Sequence, residues 1–466
     1  MKKSYLLGFA AILATAFYSC KKSSSETVNV STPQYQSGQN VTSDTLTGSV
    51  KGTLVSGKTY YFKGQVTIPL NDTLVIQSGV KLLGIDTTSM FVVHGAFISL
   101  GSESAPNYIT GVKGITMTKP NTPIPAESDP AFVAQWGGIQ GQTDCQLIDI
   151  KWTHMDYVGG NNGTTPLAGY SAGDALFGII FQNPNGYLIV EDSWWYGTTT
   201  DCIRVLGGKF HLMRNTIEKM ALDDGDAFNI KNAGVGDMAY NLFVGTAKNG
   251  QKVSNKGTYG SAEANVVMYN STFINGGWRS IDPARGANID YEQGAEGKAY
   301  NNINVNCQYG LRVVGNPIAD TANLRYGNTL NYGDSLSVVN QFYPVGYITV
   351  PQSTDIPNPS TYLPAGYTAP ANLGQAYNAP QLQYANNPKF VNFPLPQAQP
   401  QLRDINYVGT YNFRLGAGSP AIGAGNTSVQ PLNATAAVSN PYLKATVTPP
   451  NKDLGCYPTD GTGNQH

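Results

Sequence analysis

The segments GDALFGIIF (173–181), TDCIRVLG (200–207), GDAFNIKN (225–232), WRSIDPA (278–284) and YGLRVVG (309–315) decide the fold. Set in one register, they give an apolar column of Leu176, Ile203, Phe228, Ile281 and Leu311. Two residues on comes a second column, Gly178, Val205, Ile230, Pro283 and Val313. A period of two puts both columns on one side of a strand. The column between them, Phe177, Arg204, Asn229, Asp282 and Arg312, is mostly polar and is expected to face outward. Earlier phrases repeat as well: Asp192-Ser193-Trp194-Trp195, Asn215-Thr216-Ile217-Glu218, Asn241-Leu242-Phe243-Val244, Asn270-Ser271-Thr272-Phe273 and Asn301-Asn302-Ile303-Asn304. Aligned on their first residue, they set Trp194, Ile217, Phe243, Thr272 and Ile303 inward, and Trp195, Glu218, Val244, Phe273 and Asn304 outward. Their anchors recur every 23 to 31 residues, inside the ~20–50-residue range of solenoid repeats. With no helical period in between, each repeat is one coil of strands stacked on the last.

The chain therefore reads as an all-β, right-handed parallel β-helix with a loop-rich C-terminal region. The stretches TYYFKGQVTIPLNDTLVIQSGVKLLGI and SMFVVHGAFISLGS are the opening coils, so the helix is expected over 49–342. A Pro-, Tyr- and Asn-rich excursion follows over 343–400 and a closing segment over 401–466. Charged residues are 13% of the chain and the net charge is −1, which leaves no electrostatic footprint for nucleic acid.

Residues 1–20, MKKSYLLGFAAILATAFYSC, join a basic start to an apolar run that ends before Cys20, as a secretory signal does. The run is too short for a permanent span of ~20 residues. Residues 21–48 open polar and Ser-rich and are expected to be a flexible tether. The Ser19-Cys20 junction resembles the lipobox of bacterial lipoproteins in its relaxed Bacteroidetes form, with Phe17 where Leu is usual. That resemblance implies lipidation at Cys20 and an outer-membrane lipoprotein of the cell envelope, on its periplasmic or its outer face. Cleavage after Ala14-Thr15-Ala16 is the alternative and would release a soluble protein. Cys145, Cys202, Cys307 and Cys456 have no metal-ligand spacing and are expected to be isolated buried thiols.

The GQVTIPLNDTLVIQSGVKLLG stretch, Gln135-Trp136-Gly137-Gly138-Ile139, YNSTFING, YNNINVNC and the SPAIGAGN phrase together resemble the parallel β-helix proteins of Bacteroidetes envelopes. That group includes pectate lyase-like and polygalacturonase-like enzymes, so a polysaccharide partner is implied, while the fold alone does not settle an activity. The first expectation is a non-catalytic glycan-interacting protein that uses Trp195, Arg204, Asn229, Asp282 and Arg312. The second is a polysaccharide-degrading enzyme built on Asp201, Asp223, Asp224 and Asp226, whose phrases are similar to the TDG and DDC phrases of polygalacturonases. The family's later Gly-His-Gly and Arg-x-Lys phrases have no counterpart. A lyase would take Arg204 or Lys231 as base and use the carboxylates for Ca²⁺; otherwise no cofactor or metal is expected. The third expectation is a structural or adhesive scaffold.

The lipobox makes the first testable statement. A Cys20→Ala variant should leave the membrane fraction and appear soluble, because stable anchoring takes more than one buried acyl chain and a lipidated cysteine carries several. Unchanged membrane fractionation would refute lipidation at Cys20.

Overall fold

The computed structural model describes residues 39–164, 166–167, 170–255, 262–282, 285–314, 317, 319–320, 322–339, 345–346, 383–397, 403, 408–435 and 447–466. The signal segment with Cys20, most of the expected tether, most of the 343–400 excursion and Pro283 lie outside these residues. Within the expected tether, Thr45–Ser49 is already a strand, paired with Thr59–Ile68.

One coil runs through three short strands. Gly208–Met213 lies in a ten-stranded parallel sheet, and a corner at Arg214 and Asn215 leads into Thr216–Met220. A second turn leads into Phe228–Ile230, and Gly234–Ala239 rejoins the ten-stranded sheet directly beside Gly208–Met213. The rows of strands headed by Thr216–Met220 and Phe228–Ile230 form two further faces. Thr59–Ile68 joins those two faces into one sheet of twenty strands, since it pairs with both Lys81–Gly84 and Met90–Val93. Successive coils pair in parallel throughout, and the chain is a parallel β-helix.

The corner after the ten-stranded sheet is built the same way in seven successive coils. Trp152, Asp192, Arg214, Tyr240, Asn270, Asn301 and Asn328 all take left-handed φ values of 45° to 60°. The residue that follows is a ladder rung. Ser193 N–H donates to Asn215 Oδ1 at 3.1 Å, Asn215 N–H to Asn241 Oδ1 at 2.9 Å, and Ser271 N–H to Asn302 Oδ1 at 2.9 Å. The Asn215 and Asn241 amides donate in turn to the carbonyls of Val190 and Leu212. Each rung thus satisfies a buried backbone group that the bend removes from the sheet.

This corner corrects the register expected from sequence. Asparagine occupies the left-handed position in the coils of Asn270 and Asn301, but the rung one residue later in those of Asn215 and Asn241. Alignment on the first asparagine therefore slides coils past one another by one residue, which reverses the faces. The observed column is Trp195, Ile217, Phe243, Phe273 and Asn304, all facing the interior. Trp194, Thr272 and Ile303 lie on the outer side. In the third row Ile179, not Leu176, stacks on Ile203. Of WRSIDPA, the described residues 278–282 form no strand, and Ile281 is 71% exposed. Its place is taken by Gln251–Ser254 and Ala287–Glu292, so that the column runs Phe228, Gln251, Ile289, Leu311. The polar inward Gln251 hid that coil from an apolar pattern.

Stacked aromatics fill the interior. Phe243 lies parallel to Phe273 with centroids 4.9 Å apart, and Phe228 meets Phe243 edge-on at 5.1 Å. A second apolar layer forms outside the coil, where Leu242, Val244, Ile274, Ile303 and Val305 are covered by Phe393, Phe413, Leu454 and Tyr457 of the C-terminal segment. That segment includes the antiparallel pair Phe390–Asn392 and Asn412–Leu415, and it runs back towards earlier coils, where Asn464 donates to the carbonyl of Asn215.

Two substitutions separate the roles of core and corner. Phe228→Ala, fully buried among aromatic rings, should cost about 3–5 kcal/mol by cavity formation. Asn241→Ala leaves the Asn215 N–H without its acceptor and should cost about 1–3 kcal/mol. Urea unfolding measures both, and a neutral Asn241→Ala would show that the ladder is not needed to hold the corner.

Candidate functional site

The outward side of the third face carries the polar stripe. Strand pairing stacks Ile180, Arg204, Asn229, Lys252, Asp290 and Arg312 on successive coils. Arg204, Asn229 and Arg312 thus belong to one ladder, as expected. Phe177 and Asp282 do not, and Lys252 and Asp290 fill the gap. Both are charged, outward and mid-strand, but they sit in the two strands that apolar periodicity did not reveal. Phe177 instead holds its ring 4.0 Å from the Arg204 guanidinium carbon. Asp282 lies on an exposed turn and shares Lys248 with Asp224, at 2.5 and 2.6 Å.

The ladder binds a column of acids beside it. Asp201 Oδ2 accepts from Arg204 Nε at 2.7 Å and from the Asn229 amide at 2.9 Å, and Asp201 Oδ1 accepts the Asp226 N–H at 2.7 Å. The same Asn229 amide donates to Asp226 at 2.8 Å, and Asn249 donates to the other Asp226 oxygen at 2.6 Å. Lys252 lies 2.8 Å from Glu292 and 3.7 Å from Asp226, Arg285 lies 2.6 Å from Glu292, and Arg312 lies 3.4 Å from Asp290. Asn229 is buried and bridges two carboxylates, so its removal would leave charged groups short of a donor, at more cost than its outward position alone suggests.

The four aspartates expected to form a catalytic group divide into two kinds. Asp223 and Asp224 are exposed on the turn, whereas Asp201 and Asp226 are buried. An inverting pair must leave room for a water between carboxyls ~6.5–9.5 Å apart, but the Asn229 amide occupies the space between Asp201 and Asp226. Burial opposes ionisation of Asp226, yet Lys252, Lys231, Asn249 and Lys248 outweigh it and hold the carboxyl below its usual range. A general acid needs the opposite shift. Burial raises Asp290 to about 6, against the Arg312 charge and with that of Glu292. Its burial at the base of the stripe keeps it from any ligand.

Lys231 is the group that stands out chemically. It follows Phe228–Ile230 by one residue, is half-buried, and forms no ion pair among the described residues. Burial and then the Lys252 charge pull its amine down to about 8, Arg204 acts in the same direction, and Asp226 and Glu292 only partly offset them. Lys252 shows the reverse behaviour: burial opposes its charge, but Asp226, Asp290 and Glu292 hold its amine above the usual lysine range. Arg204, Lys231 and Arg285 remain partly accessible, while Asn229, Lys252, Asp290, Glu292 and Arg312 are buried beneath them.

Trp195, expected as an exposed sugar platform, is fully buried in the interior and offers no face to a ligand; Trp194 takes the outer side. Cys145, Cys202, Cys307 and Cys456 are free and buried, with Cys307 and Cys456 each pushed up by burial to about 12. For calcium the stripe is a poor fit, because Asp201, Asp226, Asp290 and Glu292 each already face an arginine or lysine. Comparison with protein-family models, curated proteins and solved structures finds no match for the chain.

Lys231 makes a pH-dependent statement. Its folded value of about 8 lies below the ordinary 10.5, so between these two pH values the unfolded chain binds more protons and stability rises with pH. Urea unfolding at a series of pH values across this window should show a positive slope that Lys231→Met removes. The ¹³Cε shift of Lys231 should titrate near 8, and lower still in Asp226→Asn, which removes a favourable charge. A midpoint near 10.5 would refute this account of the site.

Proposed function

We propose that the stripe binds an acidic glycan and that the protein does so as a lipid-anchored component of the cell envelope. One observation carries the reading: three partly exposed cations, Arg204, Lys231 and Arg285, stand on separate coils above a floor of carboxylates that are already neutralised. Strands stack ~4.8 Å apart, and cations spread over several coils suit a polymer whose anionic groups recur along its length. Arginine offers planar paired donors to a carboxylate. Burial, and after it the charges of Lys252 and Arg204, hold the Lys231 amine down, so an anion beside it favours the charged form and gains affinity from the site's own electrostatics. The sequence's resemblance to the pectate lyase-like β-helix proteins of Bacteroidetes envelopes agrees with this substrate class.

A second reading rests on the lowered Lys231 amine alone. An unpaired lysine near 8 is partly neutral at physiological pH and suits proton abstraction. In a uronate chain it would take the proton α to the carboxylate. The C–H electron pair would form the new double bond, and the glycosidic oxygen would leave with a proton returned by the lysine or by water. This elimination needs no inverting carboxylate pair, and the Asp226 shift disfavours hydrolysis.

Calorimetric titration of the purified protein with polygalacturonate and alginate tests both readings, with ultraviolet absorbance recording unsaturated ends. Arg204→Ala should weaken binding roughly ten- to a hundredfold, the effect of losing a hydrogen bond to a charged group at about 1.5–3 kcal/mol. Lys231→Ala should weaken binding and abolish any unsaturated product. Binding without product supports the non-catalytic reading. No binding of either polymer would overturn the proposal in favour of a scaffold.

A further inference from the structure

The second face of the coil carries an outer column of its own. Strand pairing stacks Tyr108, His154, Trp194, Thr216 and Leu242 on consecutive coils. The first three form an aromatic ladder: Tyr108 and His154 stack at 4.8 Å with planes 15° apart, and His154 meets Trp194 at 5.2 Å. Trp194 is held in place from behind by its Nε1–H, which donates to the buried Glu218 Oε2 at 2.6 Å. At Thr216 the column drops from an indole to a side chain of three heavy atoms. That step opens a cavity of about 350 Å³ over Thr216 and Leu242, with Trp194 as one wall. The returning C-terminal segment supplies the opposite wall with Tyr411, Phe413 and Tyr457.

The chemistry of this cavity differs from that of the stripe. Four aromatic rings and Leu242 offer apolar surface, the Asn412 amide and the His466 imidazole offer hydrogen bonds, and Arg414, on the exposed side, is the one lysine or arginine in the lining. Burial holds the His154 imidazole down to about 3, with His466 and Lys119 acting in the same direction, so the ladder behind Trp194 is uncharged. A pyranose ring has the matching pattern, an apolar C–H face with hydroxyls around its edge. The volume lies at the lower end of ligand pockets, ~300–1,000 Å³, which suits the end of a chain better than a polymer passing through.

We propose that this cavity is a second glycan-binding site, which takes one or two terminal pyranose rings of a neutral oligosaccharide against Trp194. It lies on a different face from the charged stripe and does not depend on that site's function. The probes are cellotetraose, xylotetraose and mannotetraose, titrated into the full chain with saturation-transfer NMR and calorimetry. At least one should bind saturably. Trp194→Ala should raise its Kd roughly tenfold, the loss of a stacked aromatic contact. Gly409→Trp, at an exposed lining position, should block entry without touching the core, which keeps the test valid if Trp194→Ala fails to fold. Arg204→Ala should leave the Kd for these neutral probes unchanged. The proposal is overturned if none of the three binds the wild type, or if Gly409→Trp binds as the wild type does.

Discussion

A chain that bends sharply once per coil must satisfy the backbone groups that the bend withdraws from the sheets, and the asparagine and serine rungs at the first corner do this. Ser193, Asn215, Asn241, Ser271 and Asn302 each reach the neighbouring coil from the interior. Because a rung needs its partner directly above or below, it also fixes the register between coils. The left-handed residue before each rung then aims the next strand. Columns of core and surface side chains follow from that register, and so does every geometric relation in the two sites described above.

Register turns sequence repetition into chemistry. With strands stacked ~4.8 Å apart, like charges in one column would repel, and the stripe alternates accordingly: Arg204, Asn229, Lys252, Asp290, Arg312. The acids beside it are shared between coils, as when Asn229 and Lys252 both serve Asp226. Lys231 is the exception. Among the described residues it forms no ion pair, and burial first, then the charges of Lys252 and Arg204 on the neighbouring coils, depress its amine.

The period, the parallel stacking and the outward placement of Arg204, Asn229 and Arg312 were all legible in the sequence, because a period of two survives wherever apolar residues alternate. The rest was obscured by residue types that serve two purposes. Asparagine at both the left-handed position and the rung made Trp194 and Trp195 exchange faces. Gln251, polar but inward and bonded to Ser271, concealed the strand that carries Lys252. WRSIDPA resembled a strand by composition, but Gly276 and Gly277 begin a turn before it, and Gly277 takes a left-handed φ of 90°. The division of the Asp cluster into buried and exposed pairs depends on coil stacking, which no local pattern encodes.

The two outer faces answer the same folding problem in different ways. On the second face the coil is covered by apolar contacts with Phe393, Phe413 and Leu454, the inexpensive way to bury a sheet. The third face instead buries Asp201, Asp226, Lys252, Asp290, Glu292 and Arg312. Desolvating such pairs costs about as much as their attraction returns, and well-packed apolar residues of similar volume would often be as stable or more so. Stability alone therefore does not require so dense a network, since the neighbouring face is covered largely by apolar contacts, with fewer buried charges such as Asp156, Glu218 and Lys219. What the buried network does achieve is to hold Arg204 and Arg285 in fixed positions at the surface, with Arg204 pinned by Asp201 and Phe177 and Arg285 by Glu292. Pre-placed cations lower the ordering cost of binding a ligand, and this is the physical support for the proposal of the stripe as a binding site.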